Sequence, residues 1–495
     1  MAFDDLRSFV DALEKNGELV RVKAQVDWDD EIGAIAEESM RRQGPALLFE
    51  NIKGHEETHG RRVLVNTMVT SIRRPLAAVG LPENTHPLEA IGILRAKYRE
   101  RIKPRLVSTG PCKEVIEKGD QVNLLEFPTP RWHPLDGGRY IQTWGAIVTK
   151  DPNSGWQNVA NYRGMIHDRN KMVMLITPSQ HAWLHARRHE AQGAKSMPMA
   201  IALGCEPVTH MVSCIKVPEG VDEYDVIGAM RGEALPVVKC ETVDLEVPAT
   251  AEIVLEGELL LDPQTYLPEG PFGEYPGYYS KVGSDPSTVF QVNCVTHRKD
   301  PILHGMMAEL SSAYPRFRDW SFLEIVPIWN ALEDCGVPGI TGVYGGDSHM
   351  TAHHILFVSI NKMYYGHTRQ VAAALWSGLA CLANQGKIVV VVDSDVDISD
   401  TSQVLAAIAN RVRPAVDIVI FPGCAGGDLD PSLSPEIRRM AGGIGAWDRV
   451  LIDATWPFEW QPRPEWGGLS HPPTCQSDEG MLAKVRERWS EYGLA

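Results

Sequence analysis

Two glutamates, Glu269 and Glu274, stand where their carboxylates could perform acid–base chemistry together. They lie five residues apart in the stretch Pro268–Tyr279, and the sequence between them is Gly-Pro-Phe-Gly. Because glycine and proline disfavour both a helix and a central strand, this spacing predicts a tight loop that holds the two carboxylates close together. Neighbouring carboxylates tend to have their pKa values pushed apart, so that one can hold a proton while the other stays ionised.

Three histidines offer a second kind of chemistry. His181, His185 and His189 follow one another at intervals of four residues, which places them on one face of a helix predicted over 180–192. Two histidines at positions i and i+4 can bind zinc, although no carboxylate motif accompanies them here. A metal-dependent hydrolase built on this helix is therefore a rival interpretation.

Charge and composition narrow the class of protein. The chain of 495 residues has 48 basic and 64 acidic side chains and a formal net charge of −16, which argues against a general nucleic-acid or membrane-surface role. No apolar run approaches the ~20 residues that a membrane span needs. The first residues form neither the basic nor the apolar part of a signal peptide, so the predicted compartment is the cytosol.

The cysteines give no sign of a metal cluster. Nine of them are scattered between Cys112 and Cys475 without a Cys-x-x-Cys pair. A zinc or iron–sulfur site normally has closely spaced cysteines, so these side chains are interpreted as small apolar residues in a reducing compartment.

The elements that must position the glutamates fall into three groups. Alternating helical and strand periodicity predicts an N-terminal α/β domain over 1–105. From 106 to 300 many short strands and turns predict a split β-barrel, with a return strand over Trp156–Ile166 and another strand over His210–Val217. The carboxylate loop follows the last long strand of this region, Ala251–Leu261.

The last third of the chain has a different pattern of apolar residues. After a connector over 301–330, residues 331–495 alternate apolar strands with helices, which is typical of a parallel sheet covered on both faces. The predicted strands are His354–Ile360, Ile388–Val392 and Asp417–Phe421. The terminal segment Met481–Tyr492 predicts an amphipathic helix without a core of its own, so we expect it to pack on a partner subunit.

Several motifs, taken in their order along the chain, resemble those of the UbiD family. The members of this family are reversible decarboxylases that use prenylated FMN. The motifs are Asn-Val-Ala-Asn-Tyr-Arg at 158–163, Gln-His at 180–181, Glu-Gly-Pro-Phe-Gly-Glu at 269–274, Gly-His-Thr-Arg-Gln-Val at 366–371 and Lys-Ile-Val-Val-Val-Val-Asp at 387–393. The resemblance runs over essentially the whole chain. It implies a multidomain α/β fold whose central split barrel binds the flavin and whose C-terminal domain and final helix form a homodimer or a higher oligomer.

By this resemblance, the catalytic trio of the family falls on Arg163, Glu269 and Glu274. Glu274 matches the acid/base residue that protonates the carbon losing CO₂, and Glu269 matches the partner of the arginine. The assignment is chemically sensible, because an arginine fork can fix one carboxylate in its ionised form and also orient a substrate carboxylate.

The resemblance also implies sites for the cofactor and for two cations. Asn158, His181 and Glu223 match the ligands of Mn²⁺ or Mg²⁺, and an amide oxygen, an imidazole and a carboxylate suit such an ion together with phosphate oxygens. A K⁺ ion would take the backbone carbonyls of Val212, Ser213 and Ile215 and share Glu223. Gln180 and Lys387 also match family residues that lie beside the cofactor. Lys387 matches a lysine near the cofactor phosphate.

Asn158 and Arg163 differ by an odd number of residues, so a regular strand would point them to opposite faces. Either the strand contains a bulge, or the metal and the catalytic trio approach the cofactor from different sides.

The substrate acid is predicted from the segment that follows the carboxylate loop. Met306–Trp320 follows the carboxylate loop and is the candidate wall of the substrate pocket, and its polar residues Ser311, Ser312 and Asp319 favour a heteroaromatic or hydroxyaromatic acid such as an indole-, pyrrole- or phenol-type acid. A flavin prenyltransferase would supply the cofactor. A non-catalytic flavin-binding protein of the same fold is a further alternative, against which the retained trio argues.

Overall fold

The computed structural model describes residues 2–178, 180–279, 284–307, 322–345, 354–377, 386–426, 429–434, 436, 445–475 and 477–493. The predicted pocket wall Met306–Trp320 lies outside these residues from position 308 onward. In the described part of the chain, no helix is long and apolar enough to cross a membrane.

The strands are, in chain order, β1 (Leu19–Val22), β2 (Ala46–Phe49), β3 (Arg62–Val65), β4 (Arg105–Leu106), β5 (Val115–Lys118), β6 (Tyr140–Gln142), β7 (Gly145–Lys150), β8 (Gln157–Ala160), β9 (Gly164–Asp168), β10 (Lys171–Met174), β11 (Ser196–Leu203), β12 (Pro236–Lys239), β13 (Glu246–Pro248), β14 (Ile253–Leu260), β15 (Leu267–Glu269), β16 (Asp285–His297), β17 (Ile302–His304), β18 (Ile340–Tyr344), β19 (Ile355–Ile360), β20 (Ile388–Asp393), β21 (Ile418–Gly426) and β22 (Gly445–Ala454).

The α-helices are α1 (Leu6–Lys15), α2 (Glu31–Arg41), α3 (Arg73–Ala78), α4 (Pro87–Arg99), α5 (His181–Ala191), α6 (Pro207–Ser213), α7 (Glu223–Arg231), α8 (Phe322–Asp334), α9 (His367–Ser377), α10 (Thr401–Arg411), α11 (Pro414–Asp417) and α12 (Glu479–Glu487). These elements confirm the predicted multidomain α/β class.

The N-terminal sheet has the order β1-β2-β3-β17, so a strand from beyond residue 300 completes it. Helix α1 packs on this part of the molecule through Leu6, Phe9, Val10 and Leu13, which are all buried and recur at helical spacing. The helix begins at Asp5, whose side chain accepts a hydrogen bond from the Ser8 backbone N–H at 2.8 Å.

The central sheet contains ten strands among the described residues, eight of them in the order β6-β9-β10-β16-β14-β11-β7-β8. The short connections from β6 to β7 and from β8 to β9 join strands at opposite ends of this order. The two ends must therefore lie close together, which curls the antiparallel sheet into a half-barrel.

Both faces of the central sheet are buried. Along β11, Ala200 and Ala202 contribute to one hydrophobic core, while Ile201 and Leu203 contribute to the other. This alternation follows from the two-residue period of a strand. Helices α6 and α7 cover the first face, and N-terminal residues that include Phe49 cover the second.

The structure corrects two expectations about the central region. The predicted strand Trp156–Ile166 is interrupted, because β8 ends at Ala160 and β9 begins at Gly164. Residues 210–213 of the predicted strand His210–Val217 belong instead to helix α6. Pro207 suits the first turn of that helix, and Glu206 caps it by accepting the Val208 and Thr209 backbone N–H groups at 2.9 and 2.8 Å.

The C-terminal sheet has the order β18-β19-β20-β22-β21. Its three central strands are parallel to one another: β19 and β20 were predicted, and β22 between β20 and the edge was not. The predicted strand Asp417–Phe421 corresponds to the start of β21, which runs antiparallel to β22 at the edge of the sheet. The expectation of an all-parallel sheet is therefore wrong at both edges, since β18 is also antiparallel.

A buried histidine joins the N-terminal sheet to the central region. His304, at the end of β17, contacts the Thr67 hydroxyl through Nε2 at 2.9 Å, and its ring centroid lies 5.2 Å from that of His210. Burial lowers the pKa of His304 from 6.5 to about 3. The folded state therefore favours the neutral ring, and the stability that His304 contributes is complete above pH 6.5 and is lost as the pH falls toward 3.

We expect His304→Gln to reduce the acid sensitivity of the fold, because glutamine keeps a partner for Thr67 but does not titrate. The loss of unfolding free energy between pH 7 and pH 4 should be smaller than in the wild type by about 2–3 kcal/mol. Urea unfolding at both pH values measures this difference. His59→Gln is the control, because the His59 side chain is 51% exposed. An equal loss in wild type and His304→Gln would contradict the prediction.

Candidate active site

Arg163 joins the two glutamates into one buried cluster. Its Nε and Nη2 donate to Oε1 and Oε2 of Glu269 at 2.8 and 3.0 Å, and its Nη1 donates to Oε1 of Glu274. The side chains of Arg163, Glu269 and Glu274 are only 7%, 0% and 6% exposed. The arrangement therefore places three charged groups, which are normally solvated, in a water-poor site.

The interruption between β8 and β9 positions the arginine. Asn161 holds this turn: its backbone N–H donates to the Ser213 carbonyl at 2.9 Å, and its side-chain amide donates to the Thr143 carbonyl at 3.0 Å. Because residues 161–163 are not part of a strand, the alternation of side chains restarts at β9. Asn158 and Arg163 therefore do not belong to one regular strand, and their odd spacing does not by itself place them on opposite faces.

The glutamate loop is fixed by its own backbone. Glu269 is the last residue of β15 and is paired with Asp285 of β16. Beyond it, a bridge between Gly273 and Tyr279 and a hydrogen bond of 3.0 Å from the Glu274 N–H to the Tyr278 carbonyl form a hairpin-like turn. The predicted tight loop is present and brings the two carboxylates to one guanidinium.

A second segment, residues 133–140, holds the glutamate loop from the other side and was not recognised in the sequence. The Tyr140 hydroxyl donates to Glu269 Oε1 at 2.7 Å, the Gly137 N–H donates to the Pro271 carbonyl at 2.8 Å, and Asp136 Oδ1 accepts the Gly273 N–H at 2.9 Å. A Cβ on Gly137 would lie 2.0 Å from the Gly270 carbonyl oxygen, so only glycine permits this approach. The Asp-Gly-Gly sequence at 136–138 was the available signal.

The charges of the cluster favour one bound proton. With both carboxyls ionised, the cluster has two negative charges against one positive charge in a buried site. A proton on one carboxyl makes the cluster neutral, and the two acids then have different roles. The arrangement can therefore hold a carboxyl group beside a carboxylate and deliver a proton to a bound molecule.

The candidate metal ligands converge around β8. Asn158 lies on this strand, and the Val159 N–H donates to Oε2 of Glu223 at 2.9 Å. Trp156, which directly precedes this strand, has its ring centroid 4.9 Å from that of His181. Helices α5 and α7, which begin with His181 and Glu223, both pack against the strand that carries Asn158.

The environment of these residues suits a cation. Burial raises the pKa of Glu223 well above its usual value and lowers the pKa of His181 to about 4, so the imidazole is neutral at pH 7. Lys216 lies near Glu223, and burial lowers the pKa of this lysine to about 8. The Asn158 side chain is also buried. A divalent ion would compensate the buried carboxylate, and the donor set fits Mn²⁺ or Mg²⁺.

The residues matched to the K⁺ site lie at the carboxyl end of α6. Val212 and Ser213 are its last residues, and Ile215 follows in the next turn. The carbonyls at the end of a helix carry partial negative charge, which favours a cation. The Ser213 carbonyl already accepts the Asn161 N–H, so it is directed toward the break that positions Arg163.

Other residues singled out in the sequence have local partners. His185 Nδ1 contacts the Thr149 hydroxyl at 2.9 Å, and His189 Nε2 contacts the Lys150 carbonyl at 3.2 Å. No group of three or more His, Cys, Asp or Glu side chains suited to a metal occurs within the described ranges.

Gln180 and Lys387 also have local partners. Gln180 precedes α5 and accepts the Thr177 N–H at 2.8 Å. In the C-terminal domain, the Lys387 ammonium donates to Asp430 and Ser432 at 2.8 and 2.7 Å.

Comparisons with known proteins identify the family of the chain. Family models of 3-octaprenyl-4-hydroxybenzoate carboxy-lyase (UbiD) match residues 10–92 for the N-terminal domain, 105–310 for the Rift-related domain and 320–454 for the C-terminal domain. The chain is 33% identical over 504 residues to the pyrrole-2-carboxylic acid decarboxylase of Pseudomonas aeruginosa, with 99% of this chain and 98% of that protein covered.

Solved structures show the same relationship. The vanillic acid decarboxylase of Sedimentibacter hydroxybenzoicus in closed form is 28% identical with a TM-score of 0.85, and 99% of each chain is covered. The UbiD-class enzyme HmfF of Pelotomaculum thermopropionicum in complex with FMN is 30% identical with a TM-score of 0.79, covering 99% of this chain and all of that one. An evolved dimeric form of HmfF in complex with prenylated FMN is 29% identical with a TM-score of 0.77, with the same coverage. The chain therefore belongs to the UbiD family of carboxy-lyases.

Proposed function

We propose that this protein is a reversible, non-oxidative decarboxylase of an aromatic or heteroaromatic carboxylic acid that uses prenylated FMN. The observation that carries the proposal is the buried cluster in which Arg163 contacts both Glu269 and Glu274. A flavin-binding protein without catalysis does not need this cluster. Prenylated FMN, when bound, supplies the electron sink that no side chain can provide for the carbon that loses CO₂.

The side chains of the cluster have separate tasks in the proposed reaction. The three donor contacts of Arg163 use three of its five N–H groups, so the other two can orient a substrate carboxylate. Glu274 holds a proton and delivers it to the carbon from which CO₂ has left. Glu269 stays paired with Arg163 and keeps the guanidinium in place. The buried position of all three groups keeps water away from the reacting carbon.

We propose Asn158, His181 and Glu223 as the ligands of Mn²⁺ or Mg²⁺ at the cofactor phosphate. The carbonyls of Val212, Ser213 and Ile215 would hold K⁺ beside it. The support for the divalent ion is the burial of Glu223, which is 2% exposed, together with the neutral imidazole of His181. A flavin prenyltransferase would supply the modified flavin.

Glu223→Gln should weaken divalent-metal binding by about 100-fold, because it removes the anionic ligand while keeping the shape of the side chain. Titration of the purified protein with Mn²⁺, with free Mn²⁺ followed by electron paramagnetic resonance, measures the affinity. Glu219→Gln is the matched control, because the Glu219 side chain is 56% exposed and pairs with Arg188 at the surface. Equal Mn²⁺ affinity in the two variants would contradict the assignment.

The substrate proposal is a pyrrole-, indole- or phenol-type acid, supported by the similarity to a pyrrole-2-carboxylic acid decarboxylase.

We also propose the domain limits 1–105, 106–300 and 331–495, with 301–330 as connector. For the oligomer we propose a homodimer or a larger assembly through the C-terminal domain. Helix α12 has no buried residue, and Trp489 beyond it is 47% exposed. Light scattering would give the number of subunits.

The test is an absorbance spectrum and a CO₂-release assay on protein co-expressed with a flavin prenyltransferase. The panel contains pyrrole-2-carboxylate, an indole carboxylate, hydroxybenzoates and cinnamate. A modified-flavin spectrum with CO₂ release from the first three classes would support the proposal. Turnover of cinnamate alone would contradict the substrate class, and failure to bind flavin under conditions that load a known family member would contradict the function.

A further inference from the structure

The cluster contains a fourth polar side chain, that of Tyr140. Its hydroxyl donates to Glu269 Oε1 at 2.7 Å, and this tyrosine is completely buried. The ring is fixed independently of the hydroxyl, because its centroid lies 4.3 Å from that of Phe272 in the glutamate loop. Tyr140 is therefore a rigid donor that points at one of the two carboxylates.

The two glutamates are held differently. Glu269 receives the Tyr140 hydroxyl and Arg163 Nε on one oxygen and Arg163 Nη2 on the other. Arg163 contacts Glu274 through Nη1. A carboxylate that accepts several hydrogen bonds, including bidentate bonds from an arginine, is stabilised in its ionised form. The bonds to Glu269 thus favour the ionised form of this carboxyl.

We propose that Tyr140 is a positioning residue that acts through Glu269: it keeps Glu269 ionised and thereby confines the exchangeable proton of the cluster to Glu274. This inference rests on the proposed decarboxylase function. In the proton-transfer step the O–H bond of the Glu274 carboxyl breaks and a C–H bond forms at the carbon that has lost CO₂. Glu274 is left as a carboxylate and regains a proton from solvent, while Glu269 remains ionised throughout.

Tyr140 is not itself the proton donor. Burial and the adjacent Glu269 carboxylate raise the pKa of Tyr140, so its hydroxyl keeps its proton over the working pH range. Its hydrogen is engaged with Glu269, with a longer contact of 3.3 Å to the Pro271 carbonyl. The hydroxyl therefore acts on the carboxylate as a fixed dipole.

Tyr140→Phe separates this role from a structural one, because phenylalanine keeps the ring against Phe272 and removes only the hydroxyl. Without this donor, protonation of Glu269 becomes easier. We expect kcat to fall about 10-fold at neutral pH and the acid limb of the kcat–pH profile to move up by about one pH unit. KM and flavin content should stay close to those of the wild type.

Thr368→Val is the matched control. Thr368 is 2% exposed, and its hydroxyl donates to Asp453 Oδ2 at 2.7 Å in the C-terminal domain, so this variant also removes a buried hydroxyl from a carboxylate but leaves the glutamates untouched. Its pH profile should coincide with that of the wild type. A lower kcat in Tyr140→Phe with an unmoved acid limb would overturn the proposal and leave Tyr140 as a support of the loop.

Two further measurements keep the inference testable if activity or folding fails. If the protein shows no turnover, the infrared absorption of its carboxyl groups can be followed as the pH is changed. The difference between Tyr140→Phe and Tyr140→Phe/Glu269→Gln is then the signal of the Glu269 carboxyl. That signal should develop at higher pH than in the wild type, and an unchanged position would overturn the inference separately from the decarboxylase function. If Tyr140→Phe does not fold, a fluorotyrosine at position 140 is a stronger donor. It should move the acid limb, or the infrared signal, to lower pH.

Discussion

Glu274→Gln is expected to lower kcat by about 10³-fold while flavin content and fold are retained. Glutamine has nearly the same shape and can still accept the Arg163 Nη1 hydrogen bond through its amide oxygen. It has no carboxyl proton to deliver, so the protonation of the product carbon loses its donor. The measurement is CO₂ release together with the rate at which product acquires deuterium from D₂O.

Two further variants serve as comparisons for Glu274→Gln. Glu258→Gln changes a partly exposed glutamate on β14, opposite Gln291, and should leave kcat unchanged. Glu274→Asp keeps the carboxyl but withdraws it by one methylene, so we expect an intermediate loss of about 10²-fold. Full activity in Glu274→Gln would show that another group supplies the proton and would remove Glu274 from the proposed mechanism.

Arg163→Leu should be the most destabilising change at the site. The substitution leaves the Glu269 carboxylate and the neighbouring Glu274 carboxyl buried without their positive partner, and an unpaired buried charge typically costs about 3–5 kcal/mol of unfolding free energy. Protonation relieves this cost, because an unpaired buried carboxyl has a higher pKa folded than unfolded. The stability deficit should therefore be largest near pH 7 and shrink as the pH falls toward 5.

Urea unfolding at pH 7 and pH 5 measures this deficit. Arg21→Leu is the control, because Arg21 pairs with Glu14 and Glu50 but is 30% exposed, and such surface pairs contribute about 0–1 kcal/mol. Arg163→Lys keeps the positive charge but not the planar guanidinium group. Compared with Arg163→Leu, this variant should therefore recover more of the lost stability than of the lost activity. A deficit in Arg163→Leu that does not depend on pH would mean that the carboxylates are not the cause.

The sequence by itself determined the parts that depend on local patterns. The helix predicted over 180–192 corresponds to α5, continuous apolar runs placed β19 and β20, and the Gly-Pro-Phe-Gly sequence between two glutamates predicted the tight carboxylate loop. Motifs distributed along the chain indicated the UbiD family, which the comparisons confirmed. In each case the decisive residues lie within one turn, strand or loop, so short-range preferences are sufficient.

Only the tertiary structure decided which distant segments meet. The stretch that contains Asp136 and Tyr140 lies about 130 residues before the glutamates it holds, and no local pattern reports such a contact. Helix α6 replaced a predicted strand because the Glu206 cap and burial on all sides outweigh strand propensity. The break at 161–163 exists because the chain there crosses between the two ends of a curled sheet. That crossing, a property of the whole half-barrel, brings Arg163 to Glu269 and Glu274.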